Sequence, residues 1–126
     1  MQRTVFERCG GFAVVRRIVS AFYDRVLDSD DLARYFADAS LERLVDHQTK
    51  FIATLMGGPA SFSDEALQRA HARLGITSEE FRAMVELLRE TLDEFGLERA
   101  DADDVCREMA RREPLIVAPA ARIPAP

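Results

Sequence analysis

The stretch Leu44-Val45-Asp46-His47-Gln48-Thr49-Lys50-Phe51 decides the fold class. Leu44, His47, Gln48, Phe51 and Leu55 recur three or four residues apart, the spacing that sets side chains on one face of an α-helix. An imidazole and an amide thus sit among apolar neighbours, and burying either costs free energy unless it finds a partner. A ligand or metal would be such a partner. So would water, if the two lie at the rim of the helix. Ser40 reads as the N-cap of this helix, and Gly57-Gly58-Pro59 as its end.

The helical period continues on both sides. Upstream, Val14, Ile18, Phe22 and Val26 recur every four residues and mark a long helix. Gly10-Gly11 turns the chain into it from a short helical turn around Val5 and Phe6. Asp28-Ser29-Asp30-Asp31 ends it, with Asp or Ser capping a short helix through Tyr35. Downstream, Ser63 caps a helix carrying Leu67, Ala70, His71 and Leu74 on one face, closed by Gly75. Thr77-Ser78-Glu79-Glu80 has the form of a capping box. It opens a helix with Phe81, Met84, Val85, Leu88, Leu92 and Phe95 inward, closed by Gly96. A last helix runs from Asp101 to Arg111. No strand and no repeat is evident. The expectation is an all-α domain over 1–117, followed by a flexible Pro/Ala-rich tail over 118–126.

Apolar residues make up 48% of the 126 and charged residues 31%, a balance that supports one globular core. The net charge of −5 is spread among interleaved acids and bases, which argues against a nucleic-acid partner. No apolar run nears the roughly 20 residues of a membrane span, and the N-terminus does not read as a secretory signal. Cys9 and Cys106 lie far apart and fit two reduced thiols, with a disulfide as the alternative. Their spacing does not make a metal-binding pair. A cytoplasmic protein is expected.

The chain has only two histidines, His47 and His71, each at helical spacing in an apolar stripe. Neutral imidazole is the commonest metal ligand, and one axial histidine is a way of holding haem iron. Two helices aiming imidazoles into one apolar space would line the faces of a flat cofactor. Ala70, small and beside His71, would let such a cofactor approach. Taken singly, either histidine also fits a structural role, His71 bonded to a backbone carbonyl and His47 wetted at the rim. Tyr23 lies off the centre of the Ile18/Phe22/Val26 line, and its hydroxyl would face a polar pocket or water.

The fragments Phe6-Glu7-Arg8-Cys9-Gly10-Gly11, Phe22-Tyr23-Asp24-Arg25-Val26-Leu27, Tyr35-Phe36-Ala37-Asp38, His47-Gln48-Thr49-Lys50-Phe51, Gly57-Gly58-Pro59 and Ala70-His71-Ala72-Arg73-Leu74 follow one order. In that order and spacing the chain resembles the group I truncated haemoglobins over about residues 5 to 100. The resemblance implies a two-over-two helical sandwich, two antiparallel pairs around haem b. It implies His71 as the proximal iron ligand, Phe36 stacked on the porphyrin, and Tyr23 and Gln48 directed at the distal ligand. Phe51, Leu55, Phe62, Leu67, Leu74, Ile76, Phe81 and Met84 would build apolar walls. Leu44 stands where the group often has glutamine, which leaves Tyr23 and Gln48 as the main polar pair. His47 matches a position that binds iron as a sixth ligand in some members and meets a haem propionate in others.

The implied ligands are O2, NO and CO. Three functions follow from the resemblance. One is O2 binding for storage, transport or sensing. A second is NO dioxygenation, with an external reductase restoring ferrous iron. The third is redox or gas-sensing chemistry through a bis-histidine state, with a signalling partner. The chain has no nucleotide-binding Gly-x-Gly-x-x-Gly fingerprint, so any reductase is a separate protein. A helical interaction module with merely structural histidines is the reading without haem.

Overall fold

The computed structural model describes residues 3–59, 63–72 and 74–117. The tail expected over 118–126 and the wall residue Phe62 lie outside them. The described residues form helices α1 (Val5–Cys9), α2 (Phe12–Asp28), α3 (Asp30–Ala33), α4 (Leu41–Leu55), α5 (Asp64–His71), α6 (Ser78–Glu94), α7 (Arg99–Ala110) and α8 (Glu113–Ile116). A 3₁₀ turn, Arg34–Phe36, follows α3, and no strand is present among the described residues. α2 packs on α4 and α6 on α7, and the two pairs meet through α2 against α6 and α4 against α7. This is a two-layer helical sandwich.

The caps explain where the helices start. Ser40 accepts from the Arg43 N–H, Ser63 from the Ala66 N–H and Thr77 from the Glu80 N–H, so each supplies a first-turn donor with its partner. Thr77 and Glu80 complete a reciprocal box, as the sequence predicts, and Thr4 and Glu7 form a second one at α1.

Paired bonds close α4. The Gly57 N–H reaches the Thr54 carbonyl at 3.1 Å and the Gly58 N–H the Ala53 carbonyl at 2.8 Å. Gly57 has φ +80°, a left-handed conformation that favours glycine. Gly58 answers a different demand, because a Cβ there would lie 2.8 Å from the Phe6 ring and 2.9 Å from the Ala53 carbonyl. The Phe6 N–H bonds the Met56 carbonyl at 3.0 Å, so α1 is tied to the end of α4.

Three sequence expectations shift. α2 buries Val15, Ile18, Val19, Phe22, Tyr23 and Val26, while Val14 is only half-buried. The inward stripe is wider than the every-fourth-residue line, because α4 and α6 both pack on α2. Tyr23 is consequently inside, at 3% exposure. In α4 the buried face carries Val45, Thr49, Phe51, Ile52, Ala53 and Leu55. At about 100° per residue, that face is centred near Val45 and Ile52 and turns His47 away from it, and His47 is exposed. α5 ends at His71, with the Ala72 N–H on the Gln68 carbonyl and the Leu74 N–H on the His71 carbonyl. Leu74 therefore follows the helix, and Gly75, at φ +69°, shapes the loop beyond it.

Buried polar groups are satisfied. The Thr49 hydroxyl donates to the Val45 carbonyl at 2.6 Å. The Thr91 hydroxyl donates to the Leu87 carbonyl at 2.7 Å and accepts from Arg25 at 2.8 Å. Arg25 also pairs with Glu94, so it joins α2 to α6 by two bonds.

Candidate functional site: an apolar cavity with one imidazole

A cavity of about 270 Å³ opens between the layers. α2 contributes Phe22 and Tyr23, the 3₁₀ turn Tyr35 and Phe36, and α4 Leu44, Gln48, Phe51 and Ile52. Ala70 and His71 of α5, then Leu74 and Ile76, form another side. Phe81, Met84 and Leu88 of α6 with Met109 and Ile116 complete it, and Ala39 lies at the turn.

Of the residues expected from the sequence, Tyr23, Phe36, Leu44, Gln48, Phe51, His71, Leu74, Ile76, Phe81 and Met84 come together here. Leu55 and Leu67 are buried but do not line the cavity. His47 is exposed on α4 and does not line it either. Phe22, Tyr35, Ile52, Leu88, Met109 and Ile116 are lining residues that the sequence reading did not single out. Phe22 and Leu88 were visible only as core positions. Met109 belongs to the apolar series Ala102, Val105, Cys106, Met109 of α7, which marks a buried face but not a cavity.

The polar groups of the cavity are few and distinct. His71 Nδ1 lies 2.7 Å from the Leu67 carbonyl one turn earlier. A carbonyl oxygen only accepts, so Nδ1 carries a proton, and Nε2 is the nitrogen left to hold a lone pair when the ring is neutral. The Tyr23 ring is held edge-on between Phe22 (centroids 5.1 Å, 68°) and Phe36 (5.4 Å, 78°). Its hydroxyl has no hydrogen-bond partner among the described residues. Burial pushes the Tyr23 phenol above its ordinary value of 10, so it remains a neutral donor across the physiological range. Gln48, half-buried, adds an amide to the lining of the same cavity.

Leu74 lines the cavity yet is 41% exposed, and Leu41 near the start of α4 is 45% exposed. Beside the cavity, Glu80 accepts from the Tyr35 hydroxyl, from Arg34 and from the Thr77 N–H. Burial opposes ionisation of Glu80, but these bonds outweigh it and hold the carboxyl at about 2, below its ordinary 4.5.

The fold and this cavity are those of a globin. The family model described as bacterial-like globin matches residues 4–116. A group 1 truncated hemoglobin of Tetrahymena thermophila is 33% identical over 110 residues, covering 87% of this chain and 88% of that protein. Another, from Synechocystis sp., is 32% identical over 111 residues, covering 85% and 86%. Among solved structures, the Fe(III) truncated hemoglobin of Tetrahymena pyriformis superposes with a TM-score of 0.84 at 24% identity, over 92% of this chain and 99% of that one. The 2/2 hemoglobin of Synechococcus sp., in the cyanomet state with covalently attached heme, gives 0.81 at 26% identity over 90% and 98%. The chain belongs to the bacterial-like globin family, and within it to the group I truncated haemoglobins.

The family implies a haem protein that binds gaseous ligands. The residues present fit that group. The cavity is walled by aromatic and aliphatic side chains, carries one imidazole whose Nδ1 is already bonded to a backbone carbonyl, and receives a phenol hydroxyl that has no partner among the described residues. Among the described residues no helix is long and apolar enough to cross a membrane, and no group of three or more His, Cys, Asp or Glu is placed to hold a metal ion.

Proposed function

We propose that the chain holds haem b through His71 and binds O2, with NO and CO as further ligands, beside Tyr23 and Gln48. The observation that carries this reading is the His71 geometry. With Nδ1 bonded to the Leu67 carbonyl at 2.7 Å, the ring is fixed in orientation and its Nε2 is the only ligating atom it offers. When bound, haem supplies an iron with an open coordination position for a diatomic ligand. Tyr23 then donates its O–H to a ligand that draws negative charge, and Gln48 adds a second donor. Phe51, Ile52, Phe81 and Met84 exclude water, which strengthens those bonds. Phe36 would stack on the macrocycle. Neither Cys9 nor Cys106 lines the cavity, and this supports non-covalent haem b.

NO dioxygenation would use the same residues. Haem would supply the redox chemistry that turns NO and O2 into nitrate, and a separate reductase would return the one electron spent per turnover. The exposed position of His47 favours an open distal site over the bis-histidine reading, which needs α4 to turn that side chain inward. The unpaired thiols Cys9 and Cys106 suit a reducing compartment, and we assign the protein to the cytoplasm.

Haemin titration followed by absorption spectra, ferric and then dithionite-reduced without O2, tests the reading. One tight equivalent with a Soret band and a five-coordinate ferrous spectrum is expected. His71→Ala should lose tight retention, and imidazole in solution should restore it. No haemin uptake, or an unchanged spectrum in His71→Ala, overturns the assignment. A six-coordinate ferrous spectrum that becomes five-coordinate in His47→Ala establishes the bis-histidine state instead.

A further inference from the structure

The 3₁₀ turn Arg34–Phe36 carries two cavity residues, Tyr35 and Phe36, but none of its three residues is fully buried. Tyr35 and Phe36 pack against the core only in part, so apolar burial alone does not fix this turn. Hydrogen bonds add to it, and they converge on one carboxylate from another element. Glu80 Oε1 accepts from the Tyr35 hydroxyl and from the Thr77 N–H, and Oε2 accepts from Arg34. The Arg34 guanidinium also sits 4.9 Å over the Tyr35 ring, and the Tyr35 hydroxyl lies 3.5 Å from the Gly75 carbonyl. Glu80 itself is held at the first turn of α6 by its box with Thr77, one residue before the cavity residue Phe81. It is thus a fixed anchor.

The next contact inward is the edge-to-face pair of Phe36 and Tyr23 at 5.4 Å. Tyr23 is 3% exposed, and its hydroxyl has no partner of its own among the described residues. Nothing described pins that O–H except the rings around it. The direction of the donor then depends on Phe36 together with Phe22, and the place of Phe36 on the Tyr35–Glu80 tie.

We propose that Glu80 and Tyr35 are positioning residues for the ligand site: their hydrogen bond sets the Phe36 turn and thereby aims the Tyr23 hydroxyl. The effect on ligand binding rests on the haem reading above, whereas the mechanical coupling from Glu80 to Tyr23 does not.

The chain has only two tyrosines, Tyr23 and Tyr35, and this makes a direct test available. Haem-free protein labelled with 3-fluorotyrosine gives two ¹⁹F resonances, and Tyr23→Phe, which leaves the Tyr35–Glu80 bond in place, assigns them by removing one. In Tyr35→Phe, which leaves the Glu80–Thr77 box intact, the Tyr23 resonance is expected to shift. In Glu80→Ala both resonances are expected to shift. In haem-loaded protein, Tyr35→Phe should speed O2 release about two- to tenfold, the lower part of the range for residues coupled through contact. The C–O stretch of the CO complex should move with it. In a Tyr23→Phe background the same change should have no further effect. A Tyr23 resonance that stays in place in both variants overturns the proposal, whatever haem does. So does a Tyr35→Phe effect on O2 release that persists without the Tyr23 hydroxyl. Failure to take up haemin would instead strike the functional reading and leave the ¹⁹F result standing.

Discussion

Replacing Tyr23 with phenylalanine removes one oxygen from the interior, and its two consequences have opposite signs. The ring keeps its edge-on contacts with Phe22 and Phe36, so packing is nearly conserved. What disappears is the hydroxyl of a residue that is 3% exposed, an oxygen with no partner among the described residues that opens onto the cavity. In haem-free protein, losing this partly desolvated hydroxyl should stabilise the fold by at most about 1 kcal/mol. In haem-loaded protein, on the proposed reading, the same oxygen would donate to a ligand bearing partial negative charge. Such a bond is worth about 1.5–3 kcal/mol, so O2 release should accelerate about tenfold to over a hundredfold. CO, which carries far less charge when bound, should be released at nearly the wild-type rate. Urea unfolding of the haem-free pair and stopped-flow O2 and CO release of the loaded pair give all the numbers needed. An unchanged O2 release rate, or O2 and CO rates rising together, would refute the donor assignment and leave Tyr23 as wall.

Other perturbations follow from the same contacts. Glu80 has its carboxyl at about 2 when folded against 4.5 otherwise, so the unfolded chain binds more protons between those values. Its contribution is fully present above pH 4.5 and is lost as pH falls toward 2, and Glu80→Gln should lose less stability than wild type between pH 6 and pH 3 in urea titrations. Gly58→Ala would drive a methyl against the Phe6 ring and the Ala53 carbonyl, and should cost about 1–3 kcal/mol in thermal or urea unfolding. Thr91→Val removes the partner of one Arg25 nitrogen while Glu94 keeps the other, and a loss of about 1–2 kcal/mol is expected by the same assay.

Helix starts were legible in the sequence because capping is local. Ser40, Ser63 and Thr77 each act on an N–H three residues away, and the structure shows all three bonds. The cavity was partly legible, because residues such as Gln48 and His71 stand out as polar among apolar neighbours. What stayed hidden depends on how helices are rotated against one another. The face of α4 turns His47 outward and Val45 inward, and only the packing of α2 decides that. Tyr23 lay off the apparent stripe of α2 for the same reason. Met109 and Ile116 reach the cavity from elements more than thirty residues beyond His71 in sequence, and no local signal marks them as lining. The Glu80–Tyr35 tie joins residues 45 apart, each ordinary in its own segment.

The helix that offers His71 is the least rooted of the longer ones. α5 has eight residues, buries only Leu67 and packs chiefly on α8, itself four residues long. Segments with so little buried apolar surface open locally at a small fraction of the global unfolding free energy. By that argument the frame of α2, α4, α6 and α7 would stand while α5 opens from α8 and bares the imidazole. On the proposed reading of His71, assembly would then have an order: the frame would fold first, and the cofactor would enter by the door that afterwards latches onto it. The lifetime of the loaded protein would follow how often that door opens, so a substitution at the α5–α8 seam should shorten it with little effect on the melting of the frame.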